Sequence, residues 1–208
     1  MDKTIKVESL SFAYSQEEKI LDNISLEIKE KDIVGLIGKN GSGKTTLLEC
    51  LYGSLIFDGK ISSSFEKKLF LPTDLELFGN LTSKEMIDLL LKLHKKNFKD
   101  TENEIDLLVN SLGLENKMSI LINQLSFGMK NKIKIMLALL LKPDLLLLDE
   151  PMVGLDLQSQ IHLKKILKEI AQKNNIGIVI SSHDMNLIED ICTEVIELNA
   201  GKLRYSPV

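Results

Sequence analysis

The sequence lacks any apolar stretch of the length a membrane demands. A bilayer-crossing helix needs about 20 mostly apolar residues, whereas the longest uncharged apolar run here is Ile135 to Leu141, closed by Lys134 and Lys142. The chain is not expected to cross a bilayer by itself. It also lacks the apolar core of a secretory leader, because Asp2, Lys3, Lys6 and Glu8 interrupt its first residues. A cytoplasmic location is the expectation. An excess of basic charge is missing as well: 26 Lys and Arg stand against 30 Asp and Glu, for a net charge of -4. Such a balance exerts no overall pull on a polyanion, so no nucleic acid is expected as a partner. Cysteine is scarce, and Cys50 and Cys192 have neither CxxC spacing nor a histidine cluster beside them. They read as free, buried thiols. No Gly/Ser- or Pro-rich linker and no fixed-period repeat divides the 208 residues, so residues 1–208 read as one domain.

What is present is an alternation of strand and helix patterns. Ile5 to Leu36 is strand-like, with ISLEI alternating apolar and polar residues and IVGLIG a continuous apolar run of the buried kind. Glycines interrupt it from Gly38 to Gly43, Thr45 to Leu51 reads as a helix, and DGKIS and KKLFLP read as short strands ending at Pro72. After Asn80, LTSKEMIDLLLKLHKK carries Thr82 as a candidate N-cap, Glu85 three residues on, and apolar residues at helical spacing. Glu102 to Leu112 and Ser126 to Leu141 continue the helical character. Strands return in DLLLLDE, GIVISS and EVIEL, with an amphipathic helix from Leu157 to Gln172. The implied fold class is α/β: a parallel-sheet P-loop core with an added antiparallel β part, about 1–79 and 141–208, interrupted by an α-helical subdomain of about 80–140.

GKNGSGKTT matches GxxxxGK[ST] between a strand and a helix, which is the context a phosphate-binding P-loop requires. Its residues are Gly38, Lys39, Asn40, Gly41, Ser42, Gly43, Lys44, Thr45 and Thr46. The glycines let backbone N–H groups turn inward around a phosphate, and the helix N-terminus adds positive dipole. Lys44 is placed to reach the β and γ phosphates of ATP, and the Thr45 hydroxyl to ligate Mg²⁺. LLLLDE delivers two acids at the carboxyl edge of a sheet: Asp149 for the metal, and Glu150 as general base toward an attacking water. His183, just after GIVISS, is placed to contact a γ-phosphate, while His94 and His162 fall on polar helix faces. Met129 and Met136 read as core filler.

The order and spacing of these motifs over nearly the whole chain resemble the ATP-binding-cassette family. LSFGM, Leu125 to Met129, stands where that family carries its LSGGQ signature. The resemblance implies that Ser126 and Gly128 close over the γ-phosphate bound to an opposite subunit. Tyr14 in LSFAY resembles the aromatic residue that stacks on adenine, GLD ending at Asp156 resembles the D-loop, and SSHD puts His183 at the switch position. The pattern departs at Phe127 and Met129, a variation similar to ATPases of antibiotic, bacteriocin and peptide exporters. It departs again at Thr73, where the family usually carries Gln, with Asp74 adjacent. The family would pair two such subunits, identical or paralogous, around two ATP molecules. A separate transmembrane permease would dock on the helical subdomain, holding the ATPase on the cytoplasmic face of the membrane and moving substrate, in the export direction if the signature is a guide. Two rival readings are a soluble ATPase of the same family that moves no solute and an ATP-dependent dimerisation module with little hydrolysis.

Overall fold

The computed structural model of the chain describes residues 2–15, 19–95 and 98–206. It divides into two compact units. The first is drawn from the residues up to Thr73, from Pro143–Pro151 and from Leu167 onward; the second is Asp74–Lys142 with Met152–Ile166. The second unit is thus wider than the 80–140 block read from the sequence, and takes in the loop and helix start that follow the acid pair.

In the first unit, β1 (Thr4–Ala13) and β2 (Lys19–Lys29) pair antiparallel, Ile5 facing Ile28 and Val7 facing Leu26. Alternation buries Ile24, Leu26 and Ile28 of β2 and leaves Ser25 and Glu27 outside, while Leu21 is buried beyond a register shift. The register of β1 slips between Val7 and Leu10, where Ser9 has a φ of 52°, and the bulge returns Leu10 to the core face. β3 (Ile33–Ile37) runs into α1 (Lys44–Tyr52), followed by β4 (Asp58–Ser63) and β5 (Lys68–Leu71). Beyond the helical unit come β6 (Leu145–Leu148), β7 (Gly177–Ser182), β8 (Glu194–Asn199) and β9 (Lys202–Ser206). β4 joins β1 to complete an antiparallel sheet of order β2-β1-β4. A second sheet has the order β5-β6-β7-β3-β8-β9 and is parallel throughout except at β9.

The expected parallel sheet with an antiparallel addition is therefore present. β9 went unread in the sequence, because KLRYS becomes a strand through its antiparallel pairing with β8. Every residue of β6 and β7 is buried, as the continuous apolar runs of a covered parallel sheet require. Leu47, Leu48 and Leu51 of α1 join Ile5, Ile24 and Ile28 from one sheet and Leu36, Leu147 and Ile196 from the other in a single core. Truncating Leu48 there would cost about 2–5 kcal/mol.

In the second unit, α2 (Ser83–Leu93) opens with a complete capping box: the Glu85 N–H donates to Thr82 Oγ1, and the Thr82 N–H donates back to the Glu85 carboxylate at 2.8 Å. α3 (Phe98–Leu112) and α4 (Phe127–Leu140) pack with α2 through Ile87, Leu91, Leu112, Ile133, Met136 and Leu140. Met129 lies against the same core. α5 (Leu157–Asn174) begins in this unit and ends in the first. Among the described residues, no helix is long and apolar enough to cross a membrane.

Candidate functional site

Strand order sets the site. β7 lies between β6 and β3, so three neighbouring parallel strands bring the loop after β3, the acids after β6 and the residues ending β7 to one sheet edge. In open α/β sheets ligands bind at this carboxyl edge. The turn from β3 into α1 needs left-handed backbone at Gly41 (φ 79°) and at Gly43 (φ 100°), the N-cap of α1. Gly38 is required for another reason: a β-carbon there would stand 2.5 Å from both Leu198 O and Ser42 Oγ. Lys39 accepts from the Ser42 N–H, and Asn40 completes the loop. The Lys44 ammonium is buried inside it, donating to Gly38 O at 2.7 Å and Lys39 O at 3.3 Å. Glu150 Oε1 lies 3.5 Å away, which pairs that buried charge.

Asp149 is buried and held on three sides. Its Oδ2 accepts from Thr45 Oγ1 at 2.8 Å, its Oδ1 accepts from Ser181 Oγ at 2.5 Å, and its carbonyl accepts from Thr73 Oγ1 at 2.9 Å. Thr73 therefore grips the backbone of Asp149. Glu150 has a φ of 49°, its N–H donates to Ser181 Oγ at 2.9 Å, and its Oε2 lies 3.0 Å from Nδ1 of the half-exposed His183. One Glu150 carboxylate thus meets the Lys44 ammonium and the His183 ring together. A hydroxyl beside a carboxylate is the hard oxygen donor set that suits Mg²⁺. Among the described residues there is no group of three His, Cys, Asp or Glu side chains that could hold a metal ion. His94 and His162 belong to the second unit.

Tyr14 stands 66% exposed, edge-on to Phe12 with ring centroids 4.8 Å apart, and its hydroxyl is 3.3 Å from Thr46 Oγ1. A ring tethered to the first turn of α1 with much of its surface open is suited to stacking. Ser11–Ser15, Lys19 and Ile56–Asp58 line a cleft of about 450 Å³ at this place.

Ser126, Gly128 and Asp156 belong to the second unit and form a group of their own. Ser126 is exposed and caps α4, its Oγ accepting the Met129 N–H at 3.3 Å. A β-carbon on Gly128 would stand 2.1 Å from Gly154 O, so glycine here permits close packing against the loop before α5. Asn131 Nδ2 donates to Val153 O at 2.8 Å, and Lys132 Nζ lies 3.5 Å from Asp156 Oδ2. Asp156 caps α5 through the Ser159 N–H and hydroxyl, whose hydrogen bonds pull its carboxyl down to about 2. Ser181, Asn131 and Lys132 were not singled out from the sequence. For Ser181 a signal existed: a hydroxyl closing an otherwise apolar strand. For Asn131 it was a polar side chain among the buried residues of α4.

A P-loop between a parallel strand and a helix, faced by an acid pair from the next strand but one in the same sheet, defines the P-loop nucleoside-triphosphatase fold class. The family described as ABC transporter matches residues 21–153, and the chain belongs to that family. A methionine import ATP-binding protein, MetN of Clostridium tetani, is 32% identical over 201 residues, 89% of this chain and 63% of that protein. The bacitracin transport ATP-binding protein BcrA of Bacillus licheniformis is 31% identical over 218 residues, covering 98% of this chain and 69% of its own length. A solved structure described as an ATP binding subunit of an ABC transporter superposes with a TM-score of 0.86 at 25% identity, over 97% of this chain and 89% of that one.

Proposed function

We propose that the chain binds and hydrolyses ATP to power solute movement through a separate membrane permease, in the direction of export. The observation that carries the ATPase reading is the Glu150 carboxylate, 3.0 Å from His183 Nδ1 and 3.5 Å from Lys44 Nζ, beside Asp149 bonded to Thr45. Tyr14 offers its ring to adenine, and the amides of Gly38 to Thr46 cradle the phosphates. Thr45 and Asp149 would hold Mg²⁺, which would supply charge neutralisation at the phosphate oxygens. Glu150 accepts a proton from water as its oxygen bonds to the γ-phosphorus, the bond to the β–γ bridging oxygen breaks, and ADP and inorganic phosphate leave. Lys44 and His183 steady the γ-phosphate and the carboxylate that works on it.

Two copies, identical or paralogous, would complete each other's sites, the Ser126 and Gly128 segment and Asp156 of one meeting the phosphates on the other. The chain would then sit on the cytoplasmic face of the membrane, its helical unit receiving the permease. The LSFGM form of the signature supports export. Import stands as the second reading, favoured by the relative named for methionine import. Phosphate release from Mg-ATP by purified protein with its cognate permease should far exceed that of a Lys44→Ala control. Equal rates would end the ATPase reading, and solute accumulation in inside-out rather than right-side-out vesicles would decide the direction.

A further inference from the structure

Ser181 is fully buried near the end of β7, and its hydroxyl makes hydrogen bonds to both members of the acid pair. The Oγ donates to Asp149 Oδ1 and accepts the N–H of Glu150. Parallel register explains the meeting: Leu148 is level with Ile180, so the next residue on each strand, Asp149 and Ser181, come side by side. A hydroxyl carries a desolvation cost in such a place unless both its roles are satisfied. Here the two acids satisfy them.

The two bonds do different things. The bond to Oδ1 fixes the Asp149 carboxylate about its own axis and leaves Oδ2 to Thr45. The bond from the Glu150 N–H holds a residue whose backbone is unfavourable on two counts: its φ is 49°, and it precedes Pro151, which disfavours helical backbone in the residue before it. Left-handed backbone at Glu150 accompanies the placement of its carboxylate by His183 and Lys44.

We propose that Ser181 is a positioning residue for both acids: its hydroxyl orients Asp149 toward the metal and holds Glu150 in the conformation that aims its carboxylate at the attacking water. The inference rests on the ATPase reading above. Ser181 acts through Asp149 and Glu150. Removing its hydroxyl should therefore weaken the response to Mg²⁺ and the chemical step while sparing metal-free nucleotide binding.

The test uses the full chain as wild type, Ser181→Ala and Ser181→Cys, the cysteine being close in size to serine but a poor donor and acceptor. A fluorescent ATP analogue is titrated in EDTA and again against rising Mg²⁺, and phosphate release is measured with the permease. The expected result is unchanged affinity in EDTA, with the Mg²⁺ half-saturation of analogue binding raised ~10- to 100-fold, the usual cost of losing a residue that orients a metal ligand. Turnover should fall with little change in KM for ATP. If Ala fails to fold, Cys carries the same expectation. A variant that folds and follows the wild-type Mg²⁺ curve overturns the inference, as does one that loses affinity equally in EDTA. If the wild type itself turns over no faster than Lys44→Ala, the ATPase reading falls and the Ser181 inference with it. Failure confined to the Ser181 variants leaves that reading standing.

Discussion

The ring of Phe127 rests on the α-carbon side of Gly154. A β-carbon on Gly154 would stand 2.5 Å from Phe127 Cδ1 and 2.9 Å from Cε1, and the Gly154 backbone has a φ of 76°. Phe127 is accommodated by a glycine in the loop before α5. Gly154→Ala should cost about 1–2 kcal/mol from left-handed backbone alone, with ring overlap added. In a Phe127→Ala background the added part should disappear. A double-mutant cycle by urea denaturation checks this: a coupling above ~0.5 kcal/mol is expected, and additivity within ~0.3 kcal/mol would mean that the ring does not press on Gly154.

The same loop shows what the sequence could and could not convey. The P-loop, the acid pair and the Thr82–Glu85 capping box were legible because each is a local pattern whose geometry follows from adjacent residues. The parallel sheet was legible from its unbroken apolar runs. Contacts that depend on strand register were not: Ser181 meets Asp149 across 32 residues, and Thr73 meets the Asp149 carbonyl across 76. Nor could periodicity tell that Met152–Ile166 packs with the helical unit, since the backbone approach of Gly128 to Gly154 that unites them leaves no hydrophobic trace.

Gly128 carries a prediction of its own. Its imagined β-carbon overlaps backbone, which cannot swing aside as a side chain can. Gly128→Ala should lower the unfolding midpoint of the nucleotide-free protein. A midpoint equal to the wild type, together with lost ATPase activity, would assign Gly128 to phosphate contact alone.

Glu150→Gln keeps the size of the side chain and removes its basicity. Turnover should fall by ~10²- to 10⁴-fold, the usual contribution of a positioned base, while ATP remains bound. Phosphate release and equilibrium nucleotide binding measured on one preparation check both halves, and unchanged turnover would remove Glu150 from the role of base.

Burial pushes the Cys50 thiol up to about 12, and only the thiolate alkylates readily. In native protein Cys50 should resist iodoacetamide under mildly alkaline conditions and react once the chain is unfolded. Peptide mapping by mass spectrometry reads this directly. Rapid native labelling at Cys50 would mean that the core around α1 opens far more often than its packing implies.

Asp156 ties α4 to α5 through Lys132 and Ser159, and its titration should be visible in acid. Hydrogen bonds from the Ser159 hydroxyl and N–H come first among the causes that lower its carboxyl from 3.8 to about 2, with the Lys132 ammonium adding to them. The folded state therefore favours the carboxylate. A carboxyl depressed on folding stabilises fully above its unfolded value, and that contribution fades as pH falls toward the folded one. The window here lies between about pH 4 and about pH 2. Asp156→Ala should cost about 0.5–2 kcal/mol near neutral pH, as loss of an N-cap does, and the gap from wild type should narrow steadily through that window. Asp156→Asn retains an oxygen for the Ser159 N–H, so it should keep part of the cap while losing the pH dependence. Urea midpoints of the three proteins against pH supply the measurement. A gap between wild type and Asp156→Ala that stays constant to the bottom of the window would show that the cap works without the charge, and would take Lys132 out of the contact as well.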